Sequence, residues 1–190
     1  MFKLDPKRTA LVAIDLQKGI LAMPIAPHPA ASVIANSTRL AEALGRAGGA
    51  VVRVHVGFSA DGADRLQQEV DQPMAAGPRP PDWMAFVPEV ASWKGALEIL
   101  KRQWGAFHGT ELDLQLRRRG LDTIVLTGVA TNFGVEQTAR EAWQLGYPVV
   151  VAEDATSAIS EAAHRFAVET ILPRISRVRS TEAILAALAH

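Results

Sequence analysis

The sequence predicts an α/β fold in which helices cover both faces of a doubly wound parallel sheet. Short, uninterrupted apolar runs rich in Val and Ile are typical of strands buried on both faces. Amphipathic helical patterns alternate with these runs, which is the order of a parallel sheet with right-handed crossovers. The chain has 190 residues, enough for one such domain, and we find no internal repeat. We therefore expect residues 1–190 to form a single domain.

Six runs are predicted to be strands. The three clearest are Thr9–Ile14, Ala50–Val56 and residues 123–126. Three further candidates are residues 97–100, 149–152 and 174–178. The last of these follows Pro173, which can begin a strand but cannot continue a helix because its nitrogen carries no hydrogen.

Helices are predicted in the intervening stretches, each from an apolar stripe at three- and four-residue spacing. The stretches are residues 33–44, 110–119, 135–145, 160–172 and 180–189. Thr110 is expected to cap the second of these, with Asp113 reaching back toward the cap, and Gly120 ends it. For the basic run at residues 117–119 we favour a solvated last turn matched to the helix dipole over a phosphate-binding patch.

The stretch from residue 58 to residue 88 interrupts this alternation. Its five prolines are Pro73, Pro78, Pro80, Pro81 and Pro88. Trp83 and Phe86 are embedded among them. A segment of this length without regular structure is usually functional or packed on a neighbour. We predict a lid over a site or a contact between subunits.

Composition narrows the possible partners and the compartment. Twenty basic and twenty acidic residues cancel, so no overall field draws the protein toward nucleic acid or an anionic membrane. No signal peptide and no membrane-spanning run is recognisable, which leads us to expect a cytoplasmic protein. Cysteine is absent. That excludes disulfides, thiolate metal sites and a cysteine nucleophile.

Polar residues follow the predicted strands at their carboxyl ends, where ligands bind in such sheets. Asp15 and Gln17 come after the first strand, and Lys101 ends the strand predicted at residues 97–100. The strand at residues 123–126 runs into a strand-to-helix turn at residues 127–134. Backbone N–H groups at a helix start form a ready anion or oxyanion site. A carboxylate, an amine and such a turn are therefore expected on one rim.

The sequence gives little support for a metal site, a dinucleotide site or a phospho-receiver domain. The five histidines are His28, His55, His108, His164 and His190. None shows a metal-ligand spacing such as H-E-x-x-H, so we expect structural histidines and no metal. Gly128 and Gly134 lack the G-x-G-x-x-G spacing of a dinucleotide site, and no cofactor is expected. A phospho-receiver domain is disfavoured by the length and by the lack of a second carboxylate beside Asp15.

Three stretches resemble the signature blocks of the isochorismatase-like hydrolases, in the order and at the spacing of that family. They are residues 13–17, Lys101 with residues 105–112, and residues 127–140. Glu153-Asp154-Ala155 and the closing strand and helix are also similar, so the resemblance covers nearly the whole chain. It implies a three-layer α/β/α sandwich with a six-stranded, mostly parallel sheet. It also implies a homodimer or homotetramer that acts on a small molecule.

The resemblance also assigns residues to the site. Amidase members of the family use an Asp-Lys-Cys triad, which maps onto Asp15, Lys101 and, at the cysteine position, Gly134. A cis peptide is implied at Val129–Ala130, with the backbone N–H groups of Ala130 and Gly134 in the oxyanion hole. The residues expected to line the site are Gln17, Trp104, Phe107, Thr131 and Phe133. The D-x-H metal ligands of nicotinamide-hydrolysing members have no match near residues 53–55.

Without a sulfur at Gly134, covalent thiolate catalysis is excluded. Isochorismatases proper cleave a vinyl ether, which requires a positioned proton donor rather than a nucleophile, and Asp15 is the candidate. Lys101 would favour an ionised Asp15 whereas burial would favour a protonated one, and the sequence leaves this open. Two other hypotheses remain. Asp15 and Lys101 could direct water onto a carbonyl, or the chain could be a non-catalytic binding or scaffold protein that kept the hydrolase fold.

Overall fold

A computed structural model describes residues 2–73 and 79–189. Pro78 and His190, named above, lie outside the described residues. Six strands form one sheet in the order β3-β2-β1-β4-β5-β6, and every neighbouring pair is parallel. The strands are β1 Thr9–Ile14, β2 Ala50–Val56, β3 Leu97–Lys101, β4 Thr123–Val129, β5 Val149–Ser157 and β6 Arg177–Arg179. The doubly wound α/β fold is confirmed, and the sheet is wholly parallel.

Helices alternate with the strands. They are α1 Lys18–Leu21, α2 Ala30–Arg46, α3 Pro88–Ala91, α4 Leu112–Arg118, α5 Glu136–Gln144, α6 Glu161–Phe166 and α7 Thr181–Leu188. Short 3-10 turns at Pro6–Arg8 and Leu172–Arg174 and π-helical turns at Thr131–Val135 and Ala167–Ile171 complete the order. None of the helices in the described part of the chain is long and apolar enough to cross a membrane.

The core lies on both faces of the sheet because successive side chains of a strand point to opposite sides. In β1, Leu11 packs in a cluster with Leu40 and Leu44 of α2. Its neighbour Val12 packs in a second cluster with Leu116 of α4. All six residues of β1 are buried, as expected for a central strand covered by helices on both sides.

Strand boundaries differ from the predictions where polar residues enter a strand. β5 continues past residue 152 through Glu153 and Asp154 to Ser157, since its register with β4 shifts and the pairing resumes beyond the irregularity. β6 begins at Arg177 rather than at residue 174. Pro173 lies inside a 3-10 turn that extends the preceding helical segment, so it does not begin the strand.

The helix predicted from Thr110 to residue 119 is shorter, at Leu112–Arg118. The Thr110 hydroxyl does accept a hydrogen bond from the Leu112 amide at 3.2 Å. Asp113 does not reach back toward the cap. Its carboxylate accepts from the Tyr147 hydroxyl at 2.7 Å and from Arg117 at 3.3 Å, so it joins α4 to the loop that follows α5.

The stretch between β2 and α3 packs on its own chain through its aromatic residues. Trp83 lies against Gly19, where even a Cβ atom would come within 2.1 Å of the indole ring. Phe86 packs on the His55 ring with centroids 4.7 Å apart. These contacts hold Trp83 and Phe86 beside the carboxyl ends of β1 and β2. The predicted lid, the predicted subunit contact and the homo-oligomer stay predictions.

Candidate active site

The candidate site lies at the centre of the sheet, at the carboxyl ends of β1 and β4. β1 and β4 are neighbours, yet the chain passes from β1 toward β2 on one side and from β4 toward β5 on the other. Such a reversal opens a crevice at the carboxyl ends of the two strands, where open α/β sheets bind ligands. Asp15 follows β1 and the turn at Thr131–Val135 follows β4, so both border this crevice.

Asp15 is held in an unusual backbone conformation at the end of β1. Its φ is +53°, in the left-handed region that residues other than glycine rarely occupy. Its amide donates to the Val54 carbonyl at 2.9 Å, which continues the pairing of β1 with β2 for one more residue. Such conformations persist only where the surroundings enforce them, and they cluster at functional sites. The carboxyl group is thereby turned into the protein, and the residue is only 5% exposed.

Lys101 reaches the same point from the end of β3. Its Nζ donates to Asp15 Oδ2 at 2.8 Å, to the Gln103 carbonyl at 3.0 Å and to the Trp104 carbonyl at 2.9 Å. An ammonium group has three N–H donors, so all of them are used. The residue is 2% exposed. Lys101 is therefore a fixed, fully hydrogen-bonded charge beside Asp15.

The two oxygens of the Asp15 carboxyl group have different surroundings. Oδ2 accepts from Lys101, whereas Oδ1 is buried without a hydrogen-bond partner among the described residues. Burial raises the pKa of Asp15 more than the neighbouring Lys101 lowers it. The protonated form is thus favoured relative to an exposed aspartate. Oδ1 is the atom free to carry that proton.

Gly134 faces this pair from the turn after β4. A Cβ atom at this position would lie 3.3 Å from Asp15 Oδ2, 3.4 Å from the Trp104 carbonyl oxygen and 2.9 Å from Cγ2 of Ile14. The three positions implied by the resemblance therefore adjoin one another. The Val129–Ala130 peptide bond is cis, as the resemblance implies.

Neither threonine near Gly134 offers a free hydroxyl. Thr131 Oγ1 forms a 2.8 Å hydrogen bond with His164 Nδ1. Thr138 Oγ1 donates to the Gly134 carbonyl at 2.6 Å and accepts from the Ala106 amide at 3.2 Å. In the same turn the side-chain oxygen of Asn132 is buried without a partner among the described residues. Sequence reasoning did not single out Asn132, because its only signal is its environment in the fold.

Gln17 lies beside the site with its amide group engaged. Its Oε1 accepts from the Val56 amide at 2.8 Å. Its Nε2 donates to the carbonyls of Val56 at 3.0 Å and Trp83 at 3.2 Å. Gln17 therefore joins α1, the end of β2 and the predicted lid. A substrate contact from this residue stays a prediction.

The predicted aromatic lining residues separate into two groups. Trp104, which is 53% exposed, packs on Phe133 of the turn with ring centroids 4.7 Å apart. Phe107 is buried and packs on Tyr147 at 5.6 Å. A cavity of about 850 Å³ is lined by Trp104, Phe107 and further residues, with neither Asp15 nor Lys101 among them. The substrate roles of the aromatic residues stay predictions.

Two histidines that were expected to be structural lie close to a carboxylate. His28 and His164 both approach Glu153 Oε1, with Nε2 at 3.0 Å and 3.4 Å respectively. His28 lies 125 residues before Glu153, and His164 lies 11 residues after it. These separations match no common metal-ligand spacing. Only the fold brings them together.

These features define a class: doubly wound parallel α/β proteins with a buried acid–amine pair at the switch point of the sheet. Comparison with known families identifies the class more closely. Residues 9–183 match the Isochorismatase domain family, and the chain belongs to this family of hydrolases.

Individual relatives agree with this assignment. The chain is 51% identical over 188 residues to the uncharacterized isochorismatase family protein YecD of Escherichia coli O157:H7, covering 99% of this chain and 100% of that protein. The solved structure of an isochorismatase family protein from Burkholderia thailandensis is 44% identical, with a TM-score of 0.94 and coverage of 99% and 98% of the two chains. The ureidoacrylate amidohydrolase RutB of Variovorax paradoxus is 31% identical over 212 residues, covering 92% of this chain and 80% of that protein.

Proposed function

We propose that this isochorismatase-family hydrolase cleaves a small substrate by acid catalysis from Asp15, with Lys101 as its charge partner and without a covalent intermediate. Hydrolysis of a vinyl ether is favoured over hydrolysis of an amide. The observation that carries the proposal is the Asp15 carboxyl group itself, which is buried, bound by Lys101 on Oδ2 and unpartnered on Oδ1 among the described residues.

A general acid must hold its proton near the working pH and lie within reach of the reacting atom. Burial acts toward the first condition, since it raises the pKa of Asp15 above that of an exposed aspartate. Lys101 acts after the proton has left Asp15. The carboxylate that forms then stands 2.8 Å from an ammonium group, which stabilises the new negative charge as it develops.

The missing nucleophile favours chemistry that begins with a proton. The chain has no cysteine, and Gly134 has no side chain. The hydroxyls of Thr131 and Thr138 are both engaged in hydrogen bonds. An amide is a poor electrophile toward water without nucleophilic or strong electrostatic help, whereas a vinyl ether becomes reactive once its carbon is protonated.

The Asp15 Oδ1 proton is transferred to the terminal vinyl carbon, and the electron pair of the double bond forms the new C–H bond. The oxocarbenium ion that results is captured by water, which returns a proton to Asp15. The hemiketal then breaks its C–O bond: the hydroxyl oxygen becomes the carbonyl oxygen, and the hydroxyl proton passes to the departing oxygen to give an alcohol. The net reaction consumes one water.

A substrate screen tests this proposal. Vinyl ethers, amides, carbamates and esters are incubated with the wild-type protein, with Asp15→Asn and with the control Asp122→Asn. Asp122 is a carboxylate on the other side of the molecule, paired with Arg8. We expect turnover of a vinyl ether that Asp15→Asn reduces by about 10²–10⁴-fold, the usual contribution of a general acid. The control should retain wild-type activity.

Deuterium provides a second readout that depends on the chemistry. In D2O the vinyl-ether route places one deuterium on the carbon that receives the proton, which mass spectrometry of the product detects. Turnover of amides alone, or full activity in Asp15→Asn, would contradict the proposal.

A second candidate function is non-catalytic binding of a small molecule. It is favoured by the burial of Asp15 and Lys101, neither of which borders the cavity beside Trp104. This alternative predicts saturable binding with no product formed, and unchanged affinity in Asp15→Asn. Calorimetry on the same panel of compounds separates the two functions.

A further inference from the structure

Three side chains outside the Asp15–Lys101 pair form a compact cluster at the carboxyl edge of the sheet. His28 lies in the loop between α1 and α2, Glu153 on β5 and His164 on α6. One ligand atom of each lies within 4.8 Å of the others. We propose that His28, Glu153 and His164 bind a divalent transition-metal ion such as Zn²⁺. This inference does not depend on the proposed reaction.

The distances suit coordination. His28 Nε2 and His164 Nε2 stand 3.0 Å and 3.4 Å from Glu153 Oε1. With metal–ligand bonds of about 2.0–2.1 Å these separations correspond to ligand–metal–ligand angles of about 94° and about 112°. The smaller angle is close to the octahedral value of about 90°, and the larger is close to the tetrahedral value of about 109°. The third separation, between the two histidine nitrogens, is within 4.8 Å, whereas two metal–ligand bonds span at most about 4.2 Å. The side chains therefore need to close by no more than a few tenths of an ångström to hold one ion between the three atoms.

The ligand atoms, two imidazole nitrogens and one carboxylate oxygen, indicate which kind of metal ion would bind. Imidazole nitrogen is a good ligand for Zn²⁺, Co²⁺, Ni²⁺ and Fe²⁺, whereas Mg²⁺ and Ca²⁺ prefer sites made of oxygen atoms. Two histidines and one carboxylate leave at least one coordination position for water. The side chains of His28 and Glu153 are 27% and 36% exposed, so the cluster is open to solvent on one side.

Thr131 supplies the outer shell. Its hydroxyl lies 2.8 Å from His164 Nδ1, and both residues are buried. When Nδ1 carries the hydrogen and donates it to Thr131, the lone pair of Nε2 faces Glu153 and is available to a metal. Hydrogen bonds of this kind orient the ligating histidine and set its tautomer in known metal sites.

The loop that carries His28 is also fixed in place. The Ala26 amide donates to the Ala158 carbonyl at 2.8 Å, and the Ala158 amide donates to the Ala26 carbonyl at 3.0 Å. This pair of bonds joins the loop to the residue directly after β5. Two of the three ligands thus come from segments that are hydrogen-bonded to each other, which limits the ordering needed when the ion binds.

A bound ion would link three segments and, through Thr131, the turn that carries Gly134. We therefore expect tag-free, chelator-treated protein to bind one Zn²⁺ or Co²⁺ per chain by calorimetry. Its thermal unfolding midpoint should rise with Zn²⁺ and not with Mg²⁺, because only ligands that bind the native state raise it. Co²⁺ should show visible absorption bands of a site with nitrogen and oxygen ligands.

Variants identify the ligands. Glu153→Gln and His28→Gln change partly exposed side chains, so they test the site even if the buried His164→Gln variant does not fold. The outer-shell change Thr131→Val should weaken binding by about 10–100-fold, and loss of a direct ligand should weaken it more. His108→Gln is the matched control, because His108 is exposed and outside the cluster.

Metal binding by the wild-type protein and by the three variants decides whether the proposed site exists. Loss of binding in Glu153→Gln and His28→Gln together with wild-type binding in His108→Gln supports the proposal. No bound ion in the wild-type protein overturns it and leaves the cluster as a hydrogen-bonded network. Binding that survives in both ligand variants, or that is lost equally in His108→Gln, overturns it as well.

Discussion

Replacing Lys101 with Met tests the buried ion pair, because Met has a similar length without the charge. The change removes all three hydrogen bonds of the ammonium group and leaves Asp15 without its partner. Breaking a buried pair by removing one member typically costs about 3–5 kcal/mol. Each buried acceptor left unpaired costs about 1–3 kcal/mol, and two carbonyls are affected here. Protonation of Asp15 relieves part of the loss, so we expect about 3–5 kcal/mol.

A double-mutant cycle isolates the interaction. Asp15→Asn alone leaves a buried ammonium without the carboxyl group that accepts its hydrogen bond, and Lys101→Met alone leaves the buried carboxyl group without a cation. The double variant contains neither the ammonium nor the carboxyl group. We therefore expect it to cost about 2 kcal/mol less than the sum of the two single changes, near the upper end for residues in direct contact.

The assay is urea unfolding at pH 7, with the free energy of unfolding compared at equal m-values. Lys94→Met serves as the control, since Lys94 is exposed and the same change there should lie within about 0.5 kcal/mol of the wild type. A loss below about 1 kcal/mol in Lys101→Met would refute the reasoning. The reasoning would also be refuted if the effects of Asp15→Asn and Lys101→Met on the free energy of unfolding were simply additive in the double variant.

Two further predictions concern Asp15 and Gly134. Because burial raises the folded-state pKa of Asp15 above 3.8, the folded protein binds more protons than the unfolded chain between the two values. The contribution of Asp15 to the free energy of unfolding should therefore fall as the pH rises above 3.8. In urea titrations the wild type should lose stability with rising pH relative to Asp15→Asn, and equal slopes would be inconsistent with this. Gly134→Ala should destabilise by about 1–3 kcal/mol, because its Cβ would lie 2.9 Å from Ile14. Gly45→Ala in α2 is the control: a Cβ atom there has open space, and the free energy of unfolding should rise by up to about 1 kcal/mol. A Gly134→Ala variant that is more stable than the wild type would show that the Cβ atom is not crowded by Ile14.

Several features of the fold and the site could be predicted from the sequence. The apolar runs located β1 and β2 at their observed bounds, since strands buried on both faces leave a continuous apolar signal. Asp15 and Lys101 were singled out because they end strands, and parallel strands present their carboxyl ends at one edge. Gly134 was placed opposite them by resemblance to the family rather than by periodicity.

Other features depend on the environment of each residue in the folded chain. The extension of β5 through Glu153 and Asp154 follows from a shifted pairing with β4, for which a run of polar residues gives no signal. The engagement of Gln17 and the hydrogen bond between Thr131 and His164 likewise require knowledge of distant neighbours.

The sequence by itself thus determined the class of fold, the order of its strands along the chain and the residue types at the ends of those strands. The tertiary structure decided which of these residues touch, that burial outweighs Lys101 in setting the pKa of Asp15, and that His28 and His164 meet at Glu153. The physical reason is that apolar periodicity is a local property of the chain. Desolvation, pairing of charges and metal coordination instead depend on distances between segments, and these distances exist only after folding.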